Sequence, residues 1–144
     1  MYRIRKRFRF EAAHQLEEAY SAACSDCIHG HSYIVDVYIV SRTLNTAGMV
    51  MDFGLVSKIC CFIKEEWDHA LFLPSNIAIQ HQNLPEKTLV TTENPTAENM
   101  AKWIYQRIFT DIQEAGGNEP EDLKLQKVRV HETHTGWAEF GEVM

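Results

Sequence analysis

The chain has 144 residues, of which 45% are hydrophobic and 24% charged, with 14 basic and 20 acidic side chains. That length suits one domain spanning 1–144, and the balance is that of an ordinary globular protein. A net charge of −6 argues against a nucleic-acid partner. No apolar run is long enough to span a membrane, and the basic start Met1-Tyr2-Arg3-Ile4-Arg5-Lys6-Arg7 lacks the apolar segment of a signal peptide. The expected setting for the four cysteines is therefore a reducing cytoplasm.

In chain order, Arg3, Arg5, Arg7 and Arg9 alternate with Tyr2, Ile4, Lys6, Phe8 and Phe10. Period two predicts a strand with one basic face. The connection from His14 to Ile28 carries Cys24 and Cys27 and is expected to be an active-site loop. It leads into His29-Gly30-His31, where two histidines two apart share one side of an extended strand. Three neutral nitrogens from His14, His29 and His31 can bind one Zn²⁺. A set of three protein ligands leaves a fourth position open, as in catalytic sites. Two other readings of the cysteines stand beside this one: a structural Cys₂His₂ zinc with His29 and His31, or a redox pair. The redox pair wants a helix after a strand, whereas this run enters a strand.

Ser32 to Ser41 reads as a second strand, apolar on both faces and so central or covered twice. Asn45-Thr46-Ala47-Gly48 is a turn, and Asp52 suits the N-cap of a helix over Phe53 to Trp67. Cys60 and Cys61 in that helix are expected to pack. Residues 74–95 read as a long polar connection. Asn94 or Thr96 caps a second helix, with Pro95 in its first turn and Met100, Trp103, Ile104 and Ile108 facing inward. Leu123–His131 and Trp137–Val143 are the last strands. The expected fold is α+β: a four-stranded antiparallel sheet with two helices on one face, in the order ββααββ.

Two acidic positions carry further chemistry. Asp68-His69 is a possible proton relay, a carboxylate steadying an imidazole, or simply a helix-end acid beside a surface histidine. Glu132 lies in an apolar strand, Val128-Arg129-Val130-His131-Glu132. It is either solvent-facing or an acceptor for a ligand's N–H groups.

Six segments in order resemble the 6-pyruvoyl-tetrahydropterin synthase / 6-carboxytetrahydropterin synthase (QueD) family. They are Phe10-Glu11-Ala12-Ala13-His14; the cysteine followed by His29-Gly30-His31-Ser32-Tyr33; Gly48-Met49-Val50-Met51-Asp52-Phe53; Asp68-His69; Glu93-Asn94-Pro95-Thr96-Ala97-Glu98-Asn99; and Glu132-Thr133. The resemblance implies the tunnelling fold (T-fold), with sheets joined edge to edge into barrels as trimers or paired trimers, and active sites shared between subunits. It implies zinc on His14, His29 and His31, and a cysteine thiolate acting with Asp68 and His69 as catalytic groups. Glu132 would anchor a pterin, with Thr96 and Glu98 near its polar edge.

The implied substrate is 7,8-dihydroneopterin triphosphate. The implied activity is a zinc lyase forming 6-carboxy-5,6,7,8-tetrahydropterin, an early step toward queuosine-type deazapurines. The segment Ala101-Lys102-Trp103-Ile104-Tyr105 looks closer to bacterial members, which favours this product. The alternatives are 6-pyruvoyl-tetrahydropterin formation, a retro-aldol variant giving 6-hydroxymethyl-dihydropterin, and a non-enzymatic module with a structural Cys₂His₂ zinc. The chain departs from the family in two places. Cys24 precedes the His-Gly-His run by four intervening residues, where family branches have three or five, so Cys27 and Asp26 stay open beside it. Gln15 stands where the family often has arginine, which leaves the triphosphate contacts unassigned.

Overall fold

The computed structural model describes residues 1–142; the Cys24 side chain lies outside that description. Six strands form one mixed sheet in the order β4-β3-β1-β2-β5-β6. The centre is the long antiparallel pair β1 (Tyr2–His14) and β2 (His29–Ser41), in register from Tyr2 opposite Ser41 to His14 opposite His29. β5 (Lys124–His131) runs antiparallel to β2, and β6 (Trp137–Gly141) antiparallel to β5. The outer end expected for the last strand, Val143, falls beyond the described residues.

The four-stranded antiparallel sheet expected from the sequence is thus too small. β3 (Ala70–Pro74) pairs parallel to β1 at Ala12–His14, and β4 (Thr88–Thr91) pairs parallel to β3. All five residues of β3 are buried, so Ala-Leu-Phe-Leu-Pro shows no alternation to read. The connection expected over 74–95 also holds the one-turn helix α3 (Ser75–Ala78), after the earlier one-turn helix α1 (Ala22–Ser25) in the cysteine loop.

The helix expected over Phe53 to Trp67 divides. α2 spans Phe53–Ile59, capped by Asp52, whose carboxylate accepts from Gly54 N at 2.7 Å. A π turn follows over Ile63–Trp67, closed by Asp68 N donating to Ile63 O at 2.9 Å. The extra residue in that turn puts Asp68 against the edge of β1. α4 (Ala97–Gln113) buries Met100, Ile104, Ile108 and Ile112 at helical spacing. Its cap is Thr96, whose hydroxyl accepts from Asn99 N at 3.2 Å, so Pro95 lies just before the helix.

α4 covers one sheet face, where Phe10, Tyr33, Val35, Val37, Val128 and Val130 form the core. The other face carries the exposed Arg3, Arg5, Arg7 and Arg9. There the buried Asp36 accepts both Nε and Nη2 of Arg7, at 2.8 and 2.9 Å, and lies 3.2 Å from His131 Nε2. Burial works against its ionisation, but the bonds from Arg7 and His131 prevail and hold its pKa below the usual carboxylate range.

Candidate functional site

Register and pleat place the histidines. His14 and His29 are direct partners across the β1–β2 ladder, and His31 is the next residue of β2 on the same, helix-covered face. Their ligand atoms all lie within 4.8 Å of one another. His14 is fully buried, whereas His29 and His31 are half-buried.

Backbone carbonyls assign the ring nitrogens. His14 Nδ1 lies 2.7 Å from Pro95 O, and His29 Nδ1 lies 3.1 Å from Cys27 O. A carbonyl only accepts, so each Nδ1 carries the proton and each Nε2 keeps a lone pair. Those two Nε2 atoms face each other at 3.0 Å. Two lone pairs at that distance repel unless a cation lies between them. His31 Nε2 is buried and has no hydrogen-bond partner. Three inward-aimed, otherwise unsatisfied imidazole nitrogens, two of them with carbonyl-fixed tautomers, fit a bound metal ion, and the nitrogen set suits zinc.

Electrostatics agree. Burial pushes the His14 pKa down to about 4, against the Pro95 bond and helped by the two neighbouring imidazoles. His31 is also lowered, chiefly by burial, with Glu132 opposing. Desolvation therefore keeps these rings neutral, the form that ligates.

Glu132 lies just past the end of β5, in phase with Val128 and Val130. Its Oε1 is 3.6 Å from His14 Nε2 and 3.8 Å from His31 Nε2. The side chain is 32% exposed, so it stands at the mouth of the histidine cluster rather than out in solvent. His31 and Glu132 also border a cleft of about 470 Å³ that extends past Ser32, Arg9 and His134.

Asp68 and His69 form a pair that makes no bond to the trio, although His69 and His31 line one cavity of about 400 Å³. Asp68 Oδ1 accepts from Glu11 N at 2.8 Å, and Oδ2 lies 3.0 Å from His69 Nδ1. The Glu11 bond is the main reason its pKa is lowered. His69 N donates back to Glu11 O, so both residues dock on the β1 edge just before β3 begins to pair. His69 holds φ at +64°, and its side chain is 77% exposed. Among the described residues no hydrogen bond or ion pair joins Asp68 or His69 to the three histidines.

The remaining expected residues divide. Thr96 spends its hydroxyl on the helix cap, and Glu98 is exposed in the first turn of α4. Cys24 lies in α1, with its side chain outside the described residues; Cys27 and Asp26 are exposed nearby. Among the described residues His14, not a cysteine, completes the nitrogen cluster. Gln15 donates through Nε2 to Ser25 O at 2.8 Å and so ties the cysteine loop to the end of β1. Three contributors escape sequence reasoning. The carbonyl of Pro95 and the backbone of Glu11 have no side-chain signature. Tyr33 reads as one more apolar strand residue, although it continues the 29/31 alternation.

The family model described as 6-pyruvoyl tetrahydropterin synthase matches residues 3–143. A 6-carboxy-5,6,7,8-tetrahydropterin synthase from Haemophilus influenzae is 33% identical over 153 residues, covering 99% of this chain and 100% of that protein. One from Helicobacter pylori is 33% identical over 141 residues, covering 94% of this chain and 70% of that one. In structure, an uncharacterised protein from Wolinella succinogenes superposes with a TM-score of 0.80 at 23% identity, over 99% of this chain and 98% of that one. The 6-pyruvoyl tetrahydropterin synthase of Caenorhabditis elegans gives a TM-score of 0.64 at 22% identity, over 99% and 96%. With a match that runs nearly end to end and a histidine cluster built from its first two strands, this chain belongs to the 6-pyruvoyl tetrahydropterin synthase family of enzymes.

Proposed function

We propose that this protein is a zinc-dependent lyase that converts 7,8-dihydroneopterin triphosphate to 6-carboxy-5,6,7,8-tetrahydropterin. The observation that carries the reading is the convergence of three Nε2 atoms, unsatisfied by the protein, beside the carboxylate of Glu132. The relatives named for this activity, at 32–33% identity, support the choice of product.

The residues divide the work as follows. His14, His29 and His31 hold the zinc, which polarises substrate side-chain oxygens when bound. Glu132 accepts N–H bonds from the pterin ring and sets its orientation against the histidines. Thr96 and Glu98 border the polar edge of the ring from the start of α4. The thiolate of Cys24 takes a proton from a side-chain carbon, with Cys27 or Asp26 as substitutes from the same loop. His69, with Nδ1 turned to Asp68, keeps Nε2 free to exchange a proton on the opposite side.

Within one chain Asp68 and His69 make no bond to the trio, and a site shared between subunits would take the pair from a neighbouring copy. β1 is paired by β3 only at Ala12–His14, which leaves the edge of its earlier residues open for another subunit's sheet. The open edge supports a homo-oligomer, proposed as a trimer or paired trimers. Among the described residues no helix is long and apolar enough to cross a membrane.

The test is direct. Zinc-loaded protein is incubated with 7,8-dihydroneopterin triphosphate, and the released pterin is identified by mass spectrometry. A 6-carboxy product supports the proposal. A 6-pyruvoyl product moves the chain to elimination of triphosphate without side-chain cleavage. No conversion by a metal-replete oligomer removes both.

A further inference from the structure

Beyond the ligands themselves, we infer that Tyr33 is a positioning residue of the metal centre: its hydroxyl and the Pro95 carbonyl together hold the Nδ1 proton of His14 and so keep Nε2 aimed at the ion. The inference rests on the reading of His14, His29 and His31 as metal ligands.

The placement comes from the strand. His29, His31 and Tyr33 are successive residues on one face of β2. His-Gly-His-Ser-Tyr thus delivers two ligands and one phenol in a row. Tyr33 is buried, at 1% exposure, and its ring stacks on Phe10, its cross-strand partner, with centroids 4.7 Å apart and planes 7° off parallel. Phe10 in turn meets Trp67 edge-on at 5.7 Å. The phenol is clamped in the core, so its hydroxyl has little freedom to leave the site.

The hydroxyl oxygen lies 3.2 Å from His14 Nδ1, beside the 2.7 Å contact of that nitrogen with Pro95 O. Pro95 O can only accept, so the proton sits on Nδ1. Tyr33 Oη then provides a second lone pair to the same N–H, and the two acceptors bracket it. The other tautomer would set an Nδ1 lone pair against the Pro95 carbonyl and put a proton on the Nε2 that faces His29. The phenol also meets both ligand rings edge-on, His31 at 5.5 Å and His14 at 6.1 Å, which fixes their planes as well as the proton. The Pro95 carbonyl is held in its turn. Asn94 makes two bonds to the Glu17 backbone, each 2.7 Å, and accepts from Asn99 through its own carbonyl at 2.8 Å. Outer groups of this kind are worth about ten- to a hundredfold in metal affinity.

The test compares wild type with Tyr33→Phe, which keeps the ring and its stack and removes only the hydroxyl. Zinc affinity is measured by competition with a chromogenic chelator, and Co²⁺-loaded protein is examined by its d–d absorption. The expected result is zinc binding weakened on the order of tenfold, with a changed Co²⁺ spectrum. A purely structural hydroxyl would lower the unfolding midpoint of metal-free protein while leaving affinity and spectrum as in wild type; that result would overturn the inference. Should the variant fold poorly, ¹⁵N-resolved imidazole spectra of zinc-loaded wild type decide the matter. The His14 proton must be on Nδ1, and finding it on Nε2 would equally overturn the inference. Neither readout depends on turnover, so an inactive enzyme leaves the test intact.

Discussion

His14 and His29 are opposite residues of one antiparallel ladder, and their Nε2 atoms face each other at 3.0 Å. Each Nδ1 is committed to a carbonyl, so the arrangement calls for a shared cation. Full-length protein should therefore carry about one zinc per chain, and zinc should raise its melting temperature by mass action. His14→Ala, His29→Ala or His31→Ala should each lower zinc affinity and abolish turnover. The sharpest check is the metal content of the His14→Ala/His31→Ala double variant; undiminished zinc there would rule the cluster out.

The cysteine loop offers a second prediction. Cys24 has the spacing nearer the family pattern, and α1 carries it within the loop that Gln15 anchors. Cys24→Ala should keep its zinc and lose activity, while Cys27→Ala should stay active. The opposite pattern would assign the base to Cys27. Zinc retained by the Cys24→Ala/Cys27→Ala double variant would also dispose of a structural Cys₂His₂ site.

How much of this could be read from sequence depends on the kind of signal. β1, β2, the capped helix α4 and the three histidines carry periodic side chains, and each is found close to where alternation or helical spacing puts it. β3 and β4 are missed for a physical reason. A strand buried on both faces has no alternation, and β4 is only four residues of mixed exposure. The break in the helix at Cys60 is also silent, because a π turn keeps the same apolar residues inward: Ile63 and Trp67 are buried within it. Yet that break puts Asp68 onto Glu11 N. Backbone partners such as Pro95 O are invisible to any argument from residue type.

His69 supplies a third prediction. A non-glycine residue at φ +64° is strained, typically by about 1–3 kcal/mol. Strain at an exposed side chain that packs against little is better explained by chemistry than by folding. His69→Gly relieves it, at the cost of the Asp68 contact and of added chain entropy. The variant should melt at or above the wild-type temperature and should have lost turnover. A less stable, fully active His69→Gly would remove the residue from the mechanism.

A pH dependence follows from Asp122. Its carboxylate accepts from Ser41 Oγ and Arg42 N, both at 2.7 Å, and from Thr43 Oγ1 at 3.0 Å, tying the end of β2 to the approach of β5. These bonds, Ser41 first, lower its pKa from an ordinary 3.8 to about 2. The unfolded chain therefore binds more protons between those values, and stability falls as pH falls through them. The contribution is complete above about pH 4 and lost toward pH 2. The melting-temperature gap between wild type and Asp122→Asn should be widest near pH 5 and shrink toward pH 2.5. A gap that stays constant across that range would refute the assignment.

The last prediction concerns Glu132. It is the carboxylate nearest the cluster, within 3.6–3.8 Å of His14 and His31, and it opens onto the cleft that runs past Ser32. Among the described residues its carboxylate accepts no hydrogen bond from the protein, so its acceptor capacity is available to a ligand. Accepting two N–H groups from a pterin ring would make a pair of charge-assisted bonds, and losing a desolvated acceptor of that kind costs on the order of 2–3 kcal/mol. Glu132→Gln keeps the shape but replaces one acceptor with a donor, which would then face the ring's amino group. Because three histidines still hold the metal, zinc content and melting temperature should stay near wild type. Pterin affinity measured by titration should fall at least tenfold, since 2–3 kcal/mol is roughly thirty- to a hundredfold at 1.4 kcal/mol per decade. An unchanged affinity would leave Glu132 as a bystander at the mouth. A loss of zinc together with pterin binding would instead make it a participant in holding the metal.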